Sequence, residues 1–381
     1  MMTNKLFKNK EPLFHVVKRS DIPSWKAWLF RGGAILVGIL IICLLLLIMK
    51  GANPFVVIGE LFNGCFGSSR RTWLTFRQTA LLLTVGLALI PAFKMKFWNL
   101  GANGQILIGA LVSIMCMFYM GKAGVNDGVI ILVMIPLSIL AGAIWAVIPA
   151  IFKAYFDTNE SLFTLMMNYI AEGLVAVFLS AAVTSGSGTL EIQEAGNLPR
   201  LGNDHLLTII VSIVLLAVMF IYLKYDKHGY ELEVVGESQN TAKYVGINVK
   251  KVVIRTLILS GAICGLVGLL LAGAIDHTIS TTTANNMGFT AIMVAWLAKF
   301  NPFLMVGTSF IITFLGKGMS QVQTRFDITN DSISDIAIGL VYFAIIAVEF
   351  FVSYKVVFRK KTPHIEVKEQ NNLVIETKED K

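Results

Sequence analysis

The feature that most constrains this chain is a series of apolar runs with few or no charges, most of them nearly as long as a bilayer is thick. A membrane-spanning helix needs about 20 predominantly apolar residues. The chain is 55% hydrophobic and 15% charged, whereas soluble proteins carry roughly 25% charged residues. We therefore expect an all-α polytopic membrane protein with about ten transmembrane helices. The candidate spans are 32–49, 78–93, 97–121, 129–152, 161–188, 206–223, 256–275, 287–298, 300–316 and 336–353.

Charge divides the chain into three parts. Residues 1–31 form a basic N-terminal segment, residues 32–353 the transmembrane domain, and residues 354–381 a polar C-terminal tail. Lys and Arg in short loops favour the cytoplasmic side of a membrane. With an inner N-terminus and ten crossings, the outer side holds only eight of the 32 Lys and Arg residues. We expect both termini in the cytoplasm, and we attribute the net charge of +8 to topology and not to nucleic-acid binding.

Motifs of enzyme chemistry are absent from the sequence. No G-x-x-x-x-G-K-[ST] phosphate loop and no His-x-x-x-His metal pair occurs, and the four cysteines lack metal-ligand spacing. We therefore expect no catalytic residues, metal or cofactor in this chain. Only Glu172 and Glu349 lie within apolar runs, which argues modestly against a proton-driven transporter.

Amide side chains interrupt the third apolar run, in FWNLGANGQILIGA at 97–110. Asn99, Asn103 and Gln105 are costly in hydrocarbon unless they are hydrogen-bonded, and Asn168 in TLMMNYIA presents the same problem. They either join helices or line a polar pathway. Glu172 lies in the same run as Asn168. Its carboxylate either pairs with another group for structural reasons or contacts a cavity. The glycines near Asn99 predict a helix break or a helix start.

Close helix packing is predicted by a stripe of small residues in the seventh run. Small residues let helix backbones approach within a membrane. The stripe consists of Gly261, Gly265, Gly268 and Ala272.

A polar segment at 224–255 separates the sixth and seventh runs. Glu237 or Ser238 is placed to cap a helix of about two turns, and Gly246 is placed to end it. This helix either orders a long loop or docks on a cytoplasmic partner.

Several segments, in the same order, resemble the bacterial ABC importer permeases for nucleosides and simple sugars. FWNLGANGQILIGA is similar to their FNIGAEGQ-x-LIGA signature, TLMMNYIA to TLMLNYIA, and VVGESQNTAKYVGINVKK to the coupling segment AVGENPEAARYAGINVKR. GFTAIMVAWLAKFNP is similar to G-F-x-x-I-A-V-A-L-L-G-x-x-N-P. The resemblance extends from about Gly33 to Val352.

The resemblance implies a type II-like ABC importer permease fold in a bacterial cell membrane. It implies a second permease subunit, usually a different chain, and a cytoplasmic ATPase with tandem nucleotide-binding domains that holds ATP and Mg²⁺. An extracellular substrate-binding lipoprotein would deliver a nucleoside. The coupling segment places the ATPase contacts at Gly236, Glu237, Ser238, Ala242, Tyr244, Gly246, Ile247 and Asn248.

One residue departs from the family signature, because Asn103 stands where the family has Glu. A role that needs negative charge is in doubt there, whereas a hydrogen-bonding role survives. The resemblance leaves a simple-sugar permease as an alternative. An ion-coupled secondary transporter is a further alternative, although the inverted repeats typical of that class are not visible.

Overall fold

The structure is a computed structural model. It describes residues 14–18, 24–183, 190–328 and 354–358, together with residues 336, 339–340, 342–344, 346–348, 350 and 352. The ends of two predicted spans, 161–188 and 336–353, therefore lie partly outside the described residues. Residues 1–13 and 19–23 and most of the C-terminal tail also lie outside the described residues.

Helices make up most of the described chain. The 336–352 segment is helical at each of its described positions. The helices are α1 (Ser24–Lys50), α2 (Pro54–Phe66), α3 (Ser69–Lys94), α4 (Ala102–Lys122), α5 (Asp127–Phe156), α6 (Glu160–Ala182), α7 (Leu206–Tyr225), α8 (Lys227–Glu237), α9 (Gln239–Tyr244), α10 (Val249–Leu270) with a π-helical extension (Leu271–Asp276), α11 (Met287–Leu297) and α12 (Pro302–Arg325).

Seven helices in the described ranges are long and apolar enough to cross a membrane, namely α3, α4, α5, α6, α7, α10 with its extension, and α12. The α1–α2 pair, bent by 116°, would bring the number to eight. The chain is thus a mostly helical, polytopic membrane protein, and the total of ten spans stays a prediction. At 11 residues, α11 is too short to cross alone.

The helices differ in how much of their surface is buried. From Thr79 to Phe93, α3 is buried at every position, so it has no lipid face there. In contrast, α5 and α7 expose large apolar side chains such as Leu132 and Ile213. An outward apolar face is the expected surface of a helix that lies against lipid.

The 51–77 segment, whose apolar part PFVVIGELF is too short to span, folds as α2 and the start of α3. Asn53 caps α2 by accepting from the Phe55 N–H at 3.0 Å, and Pro54 occupies the first helical position. Gly64 of α2 and Gly318 of α12 lie in close backbone contact. This contact holds α2 against α12 and explains the sharp bend after α1.

A short ribbon joins the two ends of the described chain, which the all-α prediction did not include. Strand β1 (Phe14–Lys18) pairs antiparallel with β2 (Tyr354–Phe358), so that Val16 lies opposite Val356. Both strands contain consecutive valines, which favour extended backbone. The pairing is missed from the sequence because the strands are separated by the whole membrane domain.

Candidate functional site

A buried hydrogen-bond network surrounds the turn before α4. The Asn99 side chain donates to Ser260 Oγ at 3.2 Å, and its Oδ1 accepts from the Gly101 N–H at 3.0 Å. The same oxygen accepts from Gln105 Nε2 at 3.3 Å. Asn99 and Gln105 are almost completely buried, so α10 is joined here to the start of α4.

Asn168 of α6 closes this network from the other side. Its Oδ1 accepts from the Gly104 N–H at 2.8 Å, and its Nδ2 donates to the Leu100 carbonyl at 2.9 Å. Thr164, one turn earlier, accepts from the Leu100 N–H at 3.1 Å. These bonds satisfy backbone groups of a non-helical turn, which would otherwise be costly inside a membrane.

Asn103 supplies the cap that α11 lacks. Asn286, the residue before α11, has a left-handed backbone (φ 54°) and makes no side-chain capping bond. Asn103 Oδ1 instead accepts from the Gly288 N–H at 2.8 Å, and Asn103 is 4% exposed. An amide oxygen is sufficient for this bond, and a carboxylate would add favourable charge at a helix N-terminus. The contact therefore needs an acceptor at this position and does not depend on a negative charge.

These contacts place the predicted polar residues between helices. Asn99, Asn103, Gln105 and Asn168 all bond to other helices or to neighbouring turns, and Gln105 Oε1 is buried without a hydrogen-bond partner among the described residues. Glu172 is half-buried and makes no hydrogen bond or ion pair with another described residue. The hydrogen bonds favour a helix-joining role for the four amides, and they leave the role of Glu172 open.

The predicted small residues lie where α10 crosses α4 and α5. A Cβ on Gly261 would lie 2.3 Å from the Gly142 carbonyl oxygen of α5. A Cβ on Gly265 would lie 2.4 Å from the Ser138 carbonyl oxygen, and one on Gly268 would lie 2.2 Å from that of Ile106. Ala272 is fully buried in the π-helical extension. Larger side chains would force these helices apart, since each approach is to backbone.

A polar cavity of about 420 Å³ lies between α3, α11, α12 and the 336–352 segment. Its volume is in the range that small-molecule sites use. Its lining residues are mainly amides, hydroxyls and apolar side chains, with one lysine: Gln78, Leu82, Asn285, Asn286, Met287, Thr290, Ile312, Thr313, Gly316, Lys317, Ser320, Gly339 and Tyr342. None of the amides predicted from the sequence is among them.

One face of α12 forms a wall of this cavity. Thr313, Gly316, Lys317 and Ser320 recur at the spacing of one helix face, and Lys317 and Ser320 are exposed in the single chain. A lysine and a serine on a spanning helix are unfavourable against lipid. This face must therefore meet water or protein. The sequence indicates this polar face only by the polar residues that follow the end of the apolar run at residue 316. The helix itself continues to Arg325.

The polar segment at 224–255 contains two helices. Ser238 ends α8 and caps α9, because its Oγ accepts from the Thr241 N–H at 3.2 Å. Gly246 has φ of 83°, the left-handed conformation typical of a glycine that ends a helix. Asn248 then caps α10 through the Lys251 N–H at 3.2 Å. The predicted capping residues thus define the turns of this segment, while α8 was not predicted.

One side of this segment packs on the membrane domain. Gly236 is buried, and a Cβ there would lie 2.0 Å from the Lys94 carbonyl oxygen at the end of α3. Lys94 Nζ also pairs with Glu233 at 2.7 Å. Ala242 is fully buried. The helix α8 is therefore fixed to α3, and α9 packs on α8 and α10, so the segment does not hang free as a loop.

The other side of the segment is exposed. Tyr244 is 92% exposed and Val245 61% exposed. Glu237 is also exposed, and Ile247 is half-buried. An exposed tyrosine beside apolar residues is typical of a protein interface.

His228 connects the segment to two spanning helices. One ring nitrogen meets the Tyr222 hydroxyl of α7, and the other lies 3.4 Å from Thr256 Oγ1 of α10. Burial lowers the pKa of His228 below its ordinary value, because desolvation disfavours the charged ring. The imidazole is therefore neutral at pH 7 in this position.

Comparison with known proteins gives one family. The family described as "Branched-chain amino acid transport system / permease component" matches residues 72–347. The match includes the amide network, the polar cavity and the helices α8 and α9. No solved structure matches the chain.

Three relatives are informative. The guanosine ABC transporter permease protein NupP of Bacillus subtilis is 30% identical over 66% of this chain and 74% of its own length. The glucose ABC transporter permease protein TsgB13 of Haloferax volcanii is 25% identical, covering 89% and 92%. The nucleoside ABC transporter permease protein NupB of Lactococcus lactis is 25% identical, covering 87% and 92%.

Proposed function

The chain belongs to this ABC transporter permease family, and from that premise we propose that it is the permease subunit of a nucleoside importer. Two of the three relatives just described are permeases for guanosine or nucleosides. The helical content and the number of spanning helices fit a multi-pass protein of the cell membrane. The observation that carries the proposal within the structure is the polar cavity beside α12.

The cavity provides the surface that a transported polar solute needs. Its lining amides and hydroxyls offer both donors and acceptors for a ribose and a base. It borders the first residues of α11, a half-length helix whose N-terminus faces polar groups. Short helices that begin within the membrane border substrate sites in other transporters. We therefore assign the substrate path to this face of the chain, and not to the buried amide network.

A second permease would complete the path. The α12 face exposes Lys317 and Ser320 in the single chain, and lipid is an unfavourable neighbour for both. A paired permease can cover this face and enclose the cavity. From the resemblance, we propose that the partner is a different chain and that the pair is a heterodimer.

The α8–α9 segment is the proposed docking surface for the ATPase. It exposes Glu237, Tyr244 and Val245 while Gly236 and Ala242 are buried against the membrane domain. We propose that a cytoplasmic ATPase with tandem nucleotide-binding domains docks there and holds ATP and Mg²⁺, so that this chain is not itself an enzyme and needs no cofactor. Closure of the ATPase would then push these helices and drive alternating access.

The β1–β2 ribbon supports the proposed topology. Its two strands precede the first helix and follow the last helical segment, and they are hydrogen-bonded to each other. Segments that pair must lie on one side of the membrane, which requires an even number of crossings. With the basic segments, this supports an even number of spans, such as the ten proposed here, with both termini in the cytoplasm. An extracellular lipoprotein would then deliver the substrate from the opposite side.

Uptake of labelled nucleosides tests the proposal. A strain that lacks only this chain should lose saturable guanosine, inosine and uridine uptake, and a plasmid copy should restore it. Labelled glucose and ribose serve as the second arm, because TsgB13 is a glucose permease and aligns with most of this chain. Loss of sugar uptake with normal nucleoside uptake would replace the nucleoside assignment by the sugar one.

A further inference from the structure

The one charged side chain among the described residues that line the cavity is positive. Lys317 is the charged member, and the polar members are amides, hydroxyls and the phenol of Tyr342. Charged groups restrict which solutes enter a site, because a buried charge must be matched by the ligand or by water. A cationic solute finds no carboxylate on these walls, whereas a solute with a strong acceptor finds a matching donor.

Lys317 is available to a solute. It lies on the exposed face of α12 and makes no hydrogen bond or ion pair with another described residue. Arg77 of α3 is close enough to act on it electrostatically, and the N-terminal end of α11 adds a partial positive charge at the same cavity. Asp276 and Asp204 act on Arg77 in turn, so Lys317 and the start of α11 are the groups that favour acceptor atoms in this cavity.

Nucleobases differ in whether one ring position carries a hydrogen-bond acceptor, a keto oxygen, or a donor, an amino group. Guanine and hypoxanthine present the acceptor pair O6 and N7, which lysine and arginine bind, whereas adenine presents an amino donor at position 6. Uracil and cytosine differ in the same way at position 4. An ammonium group has three donors and no acceptor, so it pairs with a keto oxygen and opposes an amino group.

We propose that Lys317 is a specificity-determining residue of the cavity and favours nucleosides with a keto base over those with an amino base. The amide and hydroxyl side chains bind the ribose, Tyr342 offers a ring face, and Lys317 donates to the keto oxygen. This inference rests on the proposed function, because it concerns the substrate of the same cavity.

Two substrate pairs that differ only in the keto or amino group provide the test, namely inosine with adenosine and uridine with cytidine. Uptake rates are measured in cells that carry the complete transporter with wild-type chain, Lys317→Met, Lys317→Gln or Lys317→Arg. The binding lipoprotein is the same in every strain, so its own preference cancels when the inosine-to-adenosine ratios are compared. Lys122→Met, which removes a lysine at the far end of α4, is the matched control.

We expect the inosine-to-adenosine and uridine-to-cytidine ratios to fall about fivefold or more in Lys317→Met and Lys317→Gln. Lys317→Arg and Lys122→Met should stay within about twofold of wild type. Unchanged ratios, or an equal fall for both members of a pair, would overturn the role of Lys317 and leave the nucleoside assignment intact. A wild-type transporter that imports no nucleoside would overturn both.

Discussion

Replacing Asn103 by Leu tests whether this residue joins helices or touches substrate. Leu has the same branched shape, although its methyl groups make it somewhat larger, and it removes the acceptor that lies 2.8 Å from the Gly288 N–H. A buried donor left without a partner costs about 1–3 kcal/mol, and loss of a helix cap costs roughly 0.5–2 kcal/mol. These two figures describe the same bond, so we expect a loss of about 1–3 kcal/mol. Asn103→Asp keeps the acceptor and should retain most of the stability.

The assay is heat-induced loss of the monodisperse complex in detergent, measured at one scan rate for each variant. Asn103→Leu should lower the midpoint by at least about 2 °C. Glu194→Leu, at an exposed position of the loop before α7, should change stability by less than about 0.5 kcal/mol. An Asn103→Leu variant that is as stable as wild type but inactive in uptake would refute the capping role. It would indicate substrate contact instead.

Two further predictions concern the α8–α9 segment. Gly236→Ala places a Cβ 2.0 Å from the Lys94 carbonyl oxygen, and substrate-stimulated ATPase activity of the complex should therefore fall about tenfold. The control Gly59→Ala has open space around it and should have little effect. Equal activities of the two variants would contradict the proposed coupling. Because burial lowers the pKa of His228, its contribution to stability is full above about pH 6.5 and falls as the pH drops below that value toward the folded-state pKa. The midpoint should therefore fall less between pH 7 and pH 5.5 in His228→Gln than in wild type, and identical falls would refute this.

The sequence predicts the long helices well because lipid leaves the chain few alternatives. Backbone groups within a membrane must be satisfied internally, so a long apolar run becomes a helix. The predicted run 206–223 corresponds to α7 at Leu206–Tyr225, and the short run 287–298 to the half-length helix α11. In the polar segment, Ser238 and Gly246 were predicted correctly as cap and stop because each acts on its immediate neighbours.

Contacts between distant residues were not predictable in the same way. Asn103 and Gly288 are 185 residues apart, and nothing in the local pattern around either indicates the other. The predicted span 300–316 stops just before Lys317, yet α12 continues through this residue to Arg325. A lysine ends an apolar run in the sequence, but on a helix that faces a cavity it does not end the helix. The polar wall became visible only when α3, α11 and α12 were placed together.

The helix α3 connects the two proposed sites mechanically. Its final residue Lys94 is held by Gly236 and Glu233 of α8, and Gln78 on the same helix lines the cavity. Gln78 and Lys94 are 16 positions apart, which corresponds to about 24 Å at the rise of an α-helix. Because α3 is buried on all sides over most of this length, it cannot bend freely toward lipid. A displacement of α8 must therefore either break the Lys94–Glu233 pair or move the wall of the cavity, and the tight packing at Gly236 favours the second outcome.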